Sequence, residues 1–271
     1  MTKMISTPER LKSKQPNRFQ MPSISWLIVI AIILGFFARG VYSAEMTPGR
    51  IIAGIGNIGE FIAEAVPPDL TRFENYFWAI VETFEMALVG TVAGVILSLP
   101  VALLASDNTT PNQVVRLVTR NLVAAVRTIP ELVWALIFVI AIGLGPAAGI
   151  FTLTIDTIGF CGRFFSERIE EIPPGPVDAL RATGSSQFGI TLGAIFPVAF
   201  PSMVATSLYA LEKAIRSAVI LGIVGAGGIG VELETAMTMF RYDEALTIII
   251  LIWLVVLGSE QFSTIVRRRV I

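Results

Sequence analysis

Apolar runs long enough to cross a bilayer recur along this chain, separated by short polar segments rich in Gly and Pro. Hydrocarbon offers no hydrogen bonds, so every unpaired backbone group in it costs several kcal/mol. A run near twenty residues is therefore satisfied by coiling into a spanning helix. That constraint predicts an all-α membrane protein. Composition agrees: 54% of the 271 residues are hydrophobic and 15% are charged, where soluble domains carry roughly 25% charged residues. There is no His, and Cys161 is the one cysteine. This excludes an intrachain disulfide, leaves no zinc site of the usual Cys/His kind and argues against a membrane enzyme. The chain has no G-x-x-x-x-G-K-[ST] loop, so active transport would draw its energy from another subunit.

About six spans follow from the pattern: 24–41, 76–105, 127–144, 147–165, 189–211 and 245–265. The second is too long for a perpendicular crossing at 1.5 Å per residue, which predicts tilt or projection beyond the bilayer. Helix is expected ahead of the third span, from before Asn121, with a kink near Pro130. Pro197 and Pro201 predict a kink in the fifth. Glu212, Lys213 and Arg216 are read as its outer end. Residues 51–65 have helical apolar spacing but carry Glu60 and Glu64, and read as an amphipathic outer-side piece rather than a span. The glycine-heavy run 217–231 is predicted to be re-entrant or path-lining. The organisation is a basic tail (1–23), a first span with its outer loop (24–75), a core (76–266) and a basic end (267–271). Lys3, Arg10, Lys12, Lys14 and Arg18 at one terminus, and Arg267, Arg268 and Arg269 at the other, place both termini in the cytoplasm.

The polar stretch 170–201, EEIPPGPVDALRATGSSQFGITLGAIFPVAFP, must lie outside the hydrocarbon or face protein. Pro173, Pro174 and Pro176 are expected to end the preceding helix, and a short helix is predicted over 178–187 with Asp178 in its first turn. Asp178-Ala179-Leu180, then Gly184, then Pro197 resemble the cytoplasmic loop of ABC importer inner-membrane permeases. The pattern there is Glu-Ala-Ala, three residues, Gly, nine residues, then Ile, any residue, Leu-Pro. Here Asp178 replaces the Glu, Leu180 the second Ala, Ala194 the Ile and Phe196 the Leu. The wider wording, PPGPVDALRATGSS with Arg127-Thr128-Ile129-Pro130-Glu131-Leu132-Val133, resembles the phosphonate importer permeases.

The resemblance implies the ABC importer permease fold with a cytoplasmic coupling helix in segment 166–188. Glu171, Asp178, Ala179, Leu180, Ala182, Gly184 and Ser185 would then couple to the ATPase, Leu180 as an apolar contact. It also implies the partners: a second permease chain, identical or paralogous, two cytoplasmic ATPase subunits that bind ATP and Mg, and a periplasmic substrate-binding protein. All would meet in a bacterial inner membrane, with no nucleic acid partner and no cofactor in this chain. Phosphonate, phosphite or a phosphate ester is the implied cargo. An ion-coupled secondary transporter of a small anion is the alternative, although no inverted repeat is visible.

Candidate path residues are the charges and glycines inside the apolar runs. Arg127 and Glu131, read as i,i+4 neighbours beside Pro130, could gate the path, meet an anion or snorkel. Asp156, among Thr152, Thr154 and Thr157, is a poor anion contact and reads as structural or gating, paired with an arginine. Arg216 with Gly225, Gly227 and Gly228 reads equally well as an anion site built on freed N–H groups or as close helix packing.

Overall fold

The computed structural model describes residues 23–270, and every regular element among them is helical. The expected basic tail therefore lies almost wholly outside the described residues. The chain divides into two compact units, through Glu60 and from Phe61 on. In the first, α1 (Ile24–Ser43) has no buried residue, and α2 (Pro48–Ala65) follows a turn in which Arg50 pairs with Glu45.

The second unit is built on α3 (Phe73–Ala105) and α6 (Pro146–Glu170). Between them, α4 (Gln113–Thr128) and α5 (Glu131–Ile142) meet at Ile129–Pro130 with an 89° bend. The break has a local cause: proline disfavours helical backbone at the residue before it, and Ile129 is extended. Next come α7 (Pro174–Ala182), the short α8 (Gln187–Ile190), one π-helical turn (Thr191–Ile195) and α9 (Phe196–Ile223). Finally, α10 (Ile229–Thr238) leads into α11 (Tyr242–Val270).

Four helical runs are long and apolar enough to span a membrane: α1, α3, α8 through α9, and α11; the bent α4–α5 pair makes a fifth. That makes four or five by length and composition, where about six are expected from the sequence. The remaining long helix, α6, carries Asp156, Arg163, Glu167, Arg168 and Glu170; its buried residues, such as Thr152, Leu153, Cys161 and Phe165, face the neighbouring helices, while Arg163 stays exposed and Arg168 half-buried.

Small residues let α3 and α6 approach closely. A Cβ on Gly90 would sit 2.7 Å from Leu153 Cβ, and one on Gly94 would sit 2.5 Å from Thr157 Cβ. Thr152 and Thr154, both buried, donate their hydroxyls to the carbonyls of Ala148 and Ile150 at 2.8 Å. Polar side chains are thus satisfied inside the seam without a partner helix.

Three further expectations change. The helix predicted over 178–187 runs from Pro174 to Ala182. Pro174 and Pro176 start it rather than block it, because the first-turn N–H groups have no helical partner to lose. The fifth span does not end at residues 211–216: α9 continues to Ile223, with Glu212, Lys213 and Arg216 inside it. The glycine run 217–231 is no separate element; it completes α9, turns, and starts α10. Pro197 lies just after the π turn, where the helix absorbs the missing N–H.

Candidate functional site

Two polar constellations stand out in the second unit. The first is a groove between α6 and α9. Ser202, Thr206, Tyr209, Lys213 and Arg216 follow one another at spacings of three and four, so they form a single stripe along α9. Asp156, Phe160 and Phe164 form the matching stripe on α6. Phe160 stacks on Tyr209 with ring centroids 5.7 Å apart and packs on Phe164 at 4.7 Å. Between the stripes is a hollow of about 460 Å³, lined by Phe160, Phe164, Ser202, Ala205, Thr206, Tyr209 and Arg267.

Charges close one end of this groove. Lys213 Nζ donates to Asp156 Oδ1 at 2.9 Å and Oδ2 at 2.7 Å, and lies 3.8 Å from Glu131 Oε2. Glu131 also accepts the Ser217 hydroxyl at 2.8 Å. Lys213 lies 5.9 Å from the Phe160 ring centroid, within cation–π range. Alongside, buried Glu212 accepts from Arg267 of α11 at 2.7 Å. Among the described residues, neither Arg127 nor Arg216 makes an ion pair, and both are exposed.

The sequence reading is corrected here. Arg127 and Glu131 are not i,i+4 neighbours: they stand on α4 and α5, either side of the 89° bend. Arg127 lays its stem against α6, where a Cβ on Gly159 would sit 3.0 Å from Arg127 Cγ. The expected arginine partner of Asp156 is a lysine, Lys213. Lys213 and Glu212, read as a helix end, belong to the groove, as does Arg267. For the first two a signal was available: the pair Glu212-Lys213 has Ala210-Leu211 before it and Ala214-Ile215 after it.

Gly225, Gly227 and Gly228 sit elsewhere, in the turn between α9 and α10. All three have positive φ, and the turn is pinned by Gly145 N donating to Gly225 O at 2.9 Å and Ile229 N donating to Thr83 Oγ1 at 2.8 Å. The depression beside it holds Glu82 and Glu232, not Arg216. These glycines allow close backbone approach. Beyond that end, the N–H and hydroxyl of Thr71 hold the Asp69 carboxyl below the ordinary carboxylate range.

The second constellation is at the opposite end, at the root of α7. Glu170, the last residue of α6, accepts from Arg120 Nη2 at 2.7 Å through both oxygens. It also accepts from Arg116 Nη2 at 3.3 Å and Asp107 N at 2.7 Å. Asn108 donates to Ile169 O at 2.7 Å, and Gln187 donates to Asn108 O at 2.9 Å. The α3–α4 turn is thereby tied to both flanks of α7.

The α7 helix ends in a Schellman motif: Gly184 N donates to Arg181 O and Ser185 N to Leu180 O, with Gly184 at φ 77°. Asp178, Ala179, Ala182 and Gly184 are exposed, and Asp178 accepts from Arg181 at 3.0 Å. Glu171 is exposed beside Arg168 at 3.4 Å. Leu180 turns the other way, toward Gly193 and the apolar core, and together with Val177 it fastens α7 to the body.

Fold and site define a class: an all-helical, multi-pass membrane protein whose polar side chains line a groove instead of converging on a reaction centre. Its fold is similar to a chain of the inward-facing MetNI methionine ABC transporter. The TM-score is 0.64 at 22% identity, covering 72% of this chain and 96% of that one. Residues 90–271 match the family described as "Binding-protein-dependent transport system inner membrane component", and the chain belongs to that family. It is therefore a permease subunit of an ABC-type transport system. Among its relatives is the phosphite transport system permease protein PtxC of Stutzerimonas stutzeri. The two are 33% identical over 240 residues, which is 88% of this chain and 87% of that protein. Another is the phosphate-import permease protein PhnE of Mycolicibacterium smegmatis, 36% identical over 227 residues, 84% of this chain and 43% of that protein.

Proposed function

We propose that this chain is the membrane-spanning subunit of an ATP-driven importer for a small phosphorus oxyanion: phosphite, phosphate or a phosphonate. The observation that carries the reading is the similarity to the phosphite permease PtxC along 88% of the chain. The groove supports it, since Lys213 and Arg216 set two cations on one stripe of a spanning helix. In this reading α6 is the sixth span, shielded from lipid by its neighbours. Both termini and α7 lie on the cytoplasmic side, and the turn at 224–228 lies on the outer side.

Function then divides among subunits. A binding protein delivers the anion at the outer end, and a second permease chain completes the path. Two cytoplasmic ATPase subunits dock on the exposed face of α7. The Glu170 cluster makes α7, α6 and α4 move as one body when the ATPases close.

The test is uptake of radiolabelled phosphite, phosphate and methylphosphonate by proteoliposomes holding the complete complex and its binding protein. Uptake of at least one of them, dependent on internal ATP, is expected. Uptake driven by an ion gradient without ATP would instead establish a secondary transporter. The α7 assignment has its own test. Gly184→Val forces a β-branched residue into left-handed backbone, costing about 1–2 kcal/mol. Space is not the obstacle, since a Cβ there meets nothing within 4 Å. The cap of α7 loosens while the fold survives, so ATP hydrolysis is expected to continue with uptake reduced. Unchanged coupling would count against docking on α7.

A further inference from the structure

We infer that Arg216 and Lys213 together form the station at which the oxyanion crosses the middle of the membrane, with Asp156 and Glu131 as the counter-charges that hold Lys213 when the station is empty. This rests on the import function proposed above and assigns its substrate contacts.

Depth comes first. Asp156 lies ten residues along α6 from Pro146, and Glu131 lies eleven residues from the end of α5 at Ile142. At 1.5 Å per residue, both helices place the cluster about 15 Å from the outer turn, the midpoint of a hydrocarbon layer about 30 Å thick. Charges at that depth face protein or a water-filled path, not lipid. Arg216 is one helical turn nearer the outer end, on the same stripe as Lys213, and it is exposed.

Charge arithmetic comes second. Asp156 and Glu131 carry two negative charges against the one positive charge of Lys213, and Arg216 adds a second on the same stripe. Lys213 is divided between both carboxylates, while Arg216 pairs with neither, among the described residues. An oxyanion approaching from outside therefore meets an uncommitted guanidinium first, whose planar fork suits two oxygens of a phosphorus centre. Lys213 sits on a flexible stem and is 35% exposed at its side chain. It can swing from Asp156 to the anion while the Phe160 face continues to flank it.

The carboxylates complete the station. An arginine–lysine pair without them would hold a phosphorus oxyanion too firmly to pass it on. Asp156 and Glu131 compete for Lys213 and loosen that hold, meeting the requirement that a path bind well enough to admit its ion and weakly enough to release it. Beyond Lys213, the hydroxyls of Tyr209 and Ser202 continue the stripe inward as hydrogen-bond donors, while Thr206 gives its own to Ser202 O at 3.0 Å and offers only its acceptor side.

The experiment uses the same proteoliposomes, reading anion uptake and ATP hydrolysis in parallel. Arg216→Gln is expected to lower uptake by about tenfold or more, the scale of one lost charge-assisted contact. Hydrolysis stimulated by the loaded binding protein should persist, and Arg216→Lys, which keeps the charge but loses the planar fork, should fall between the wild type and Arg216→Gln. The double variant Asp156→Asn/Lys213→Gln removes one charge of each sign and leaves Glu131 the Ser217 hydroxyl at 2.8 Å, so the complex should assemble while its uptake falls likewise. Wild-type uptake in either variant overturns the station. Equal loss of uptake and hydrolysis in an assembled Arg216→Gln complex also overturns it, by making Arg216 a coupling residue. A wild-type complex that carries none of the three anions is a different result: it removes the substrate class itself.

Discussion

Gly230→Ala is expected to cost the protein much of its stability, more than any other single methyl group added to it. A Cβ at this position would lie 2.0 Å from Val219 O and 2.8 Å from Gly222 Cα. Looking back from the other side, a Cβ on Gly222 would lie 2.6 Å from Gly230 Cα and 2.8 Å from Gly227 O. All of these obstacles are backbone, so no side chain can swing aside. The two helices would have to part. They are not free to do so, because α10 is pinned at its start by the bond from Ile229 N to Thr83 Oγ1. Overpacking in a close-packed interior costs about 1–3 kcal/mol, occasionally more, and rigid obstacles push this case to the upper end. Against a total stability of roughly 5–15 kcal/mol that is a large fraction. Thermal melting in detergent, followed by size-exclusion, should show a Tm lower by roughly 6–12 °C. Gly258→Ala is the control: a Cβ there meets nothing within 4 Å, and its Tm should hold or rise slightly. An unaltered Tm for Gly230→Ala would mean that α10 moves away from α9 at little cost.

Much of this architecture is legible in the chain because a membrane reads helix length directly. The long apolar runs became α3, α9 and α11, and Pro130 marked the α4–α5 break. What did not follow is whatever depends on how helices are rotated against one another. Glu212 and Lys213 look like the end of a span because two adjacent charges are expensive in lipid. They lie inside α9 because Arg267 and Asp156, 55 and 57 residues distant in sequence, neutralise them. Arg127 and Glu131 look like partners because four residues separate them. The 89° bend sends one toward Gly159 and the other toward Lys213. Position in the sequence identified Glu131, Asp156 and Arg216 as charges needing a reason. Only packing showed that two of them share a lysine and the third does not.

The same distinction governs α7. Its sequence marks where a helix could dock, but nothing in that stretch tells how its motion would reach the membrane. The packing supplies an answer in Glu170. Its carboxylate joins the end of α6 to Arg116 and Arg120 of α4 and to the backbone of Asp107, while Leu180 and Val177 hold α7 to the body. On the proposed docking, a push on α7 would pass to α4, and through the Pro130 bend to α5, whose first residue is Glu131. The two polar constellations, at opposite ends of the unit, are thus connected by short helices rather than by a flexible loop.

Glu170→Ala is expected to break that connection. The substitution leaves Arg120 Nη2 and the Asp107 N–H without their acceptor, whereas Arg120 Nε keeps Ala105 O at 2.9 Å and Arg116 keeps Asp107 at 2.9 Å. The Glu170 side chain is 25% exposed, so water recovers part of the loss. A charge-assisted hydrogen bond contributes about 1.5–3 kcal/mol, and losing this group of them should cost about 2–3 kcal/mol. The fold survives that. Coupling should not: uptake is expected to fall by about tenfold or more, because α7 would move without carrying α4, while ATP hydrolysis continues. Glu170→Gln keeps one acceptor oxygen for Arg120 and should fall between. Glu171→Ala, whose exposed side chain meets Arg168 at 3.4 Å, should change stability by less than about 0.5 kcal/mol. Measuring uptake and hydrolysis together for these three variants separates a lost linkage from a lost fold. Wild-type uptake in Glu170→Ala would show that the force from α7 travels along α6 alone.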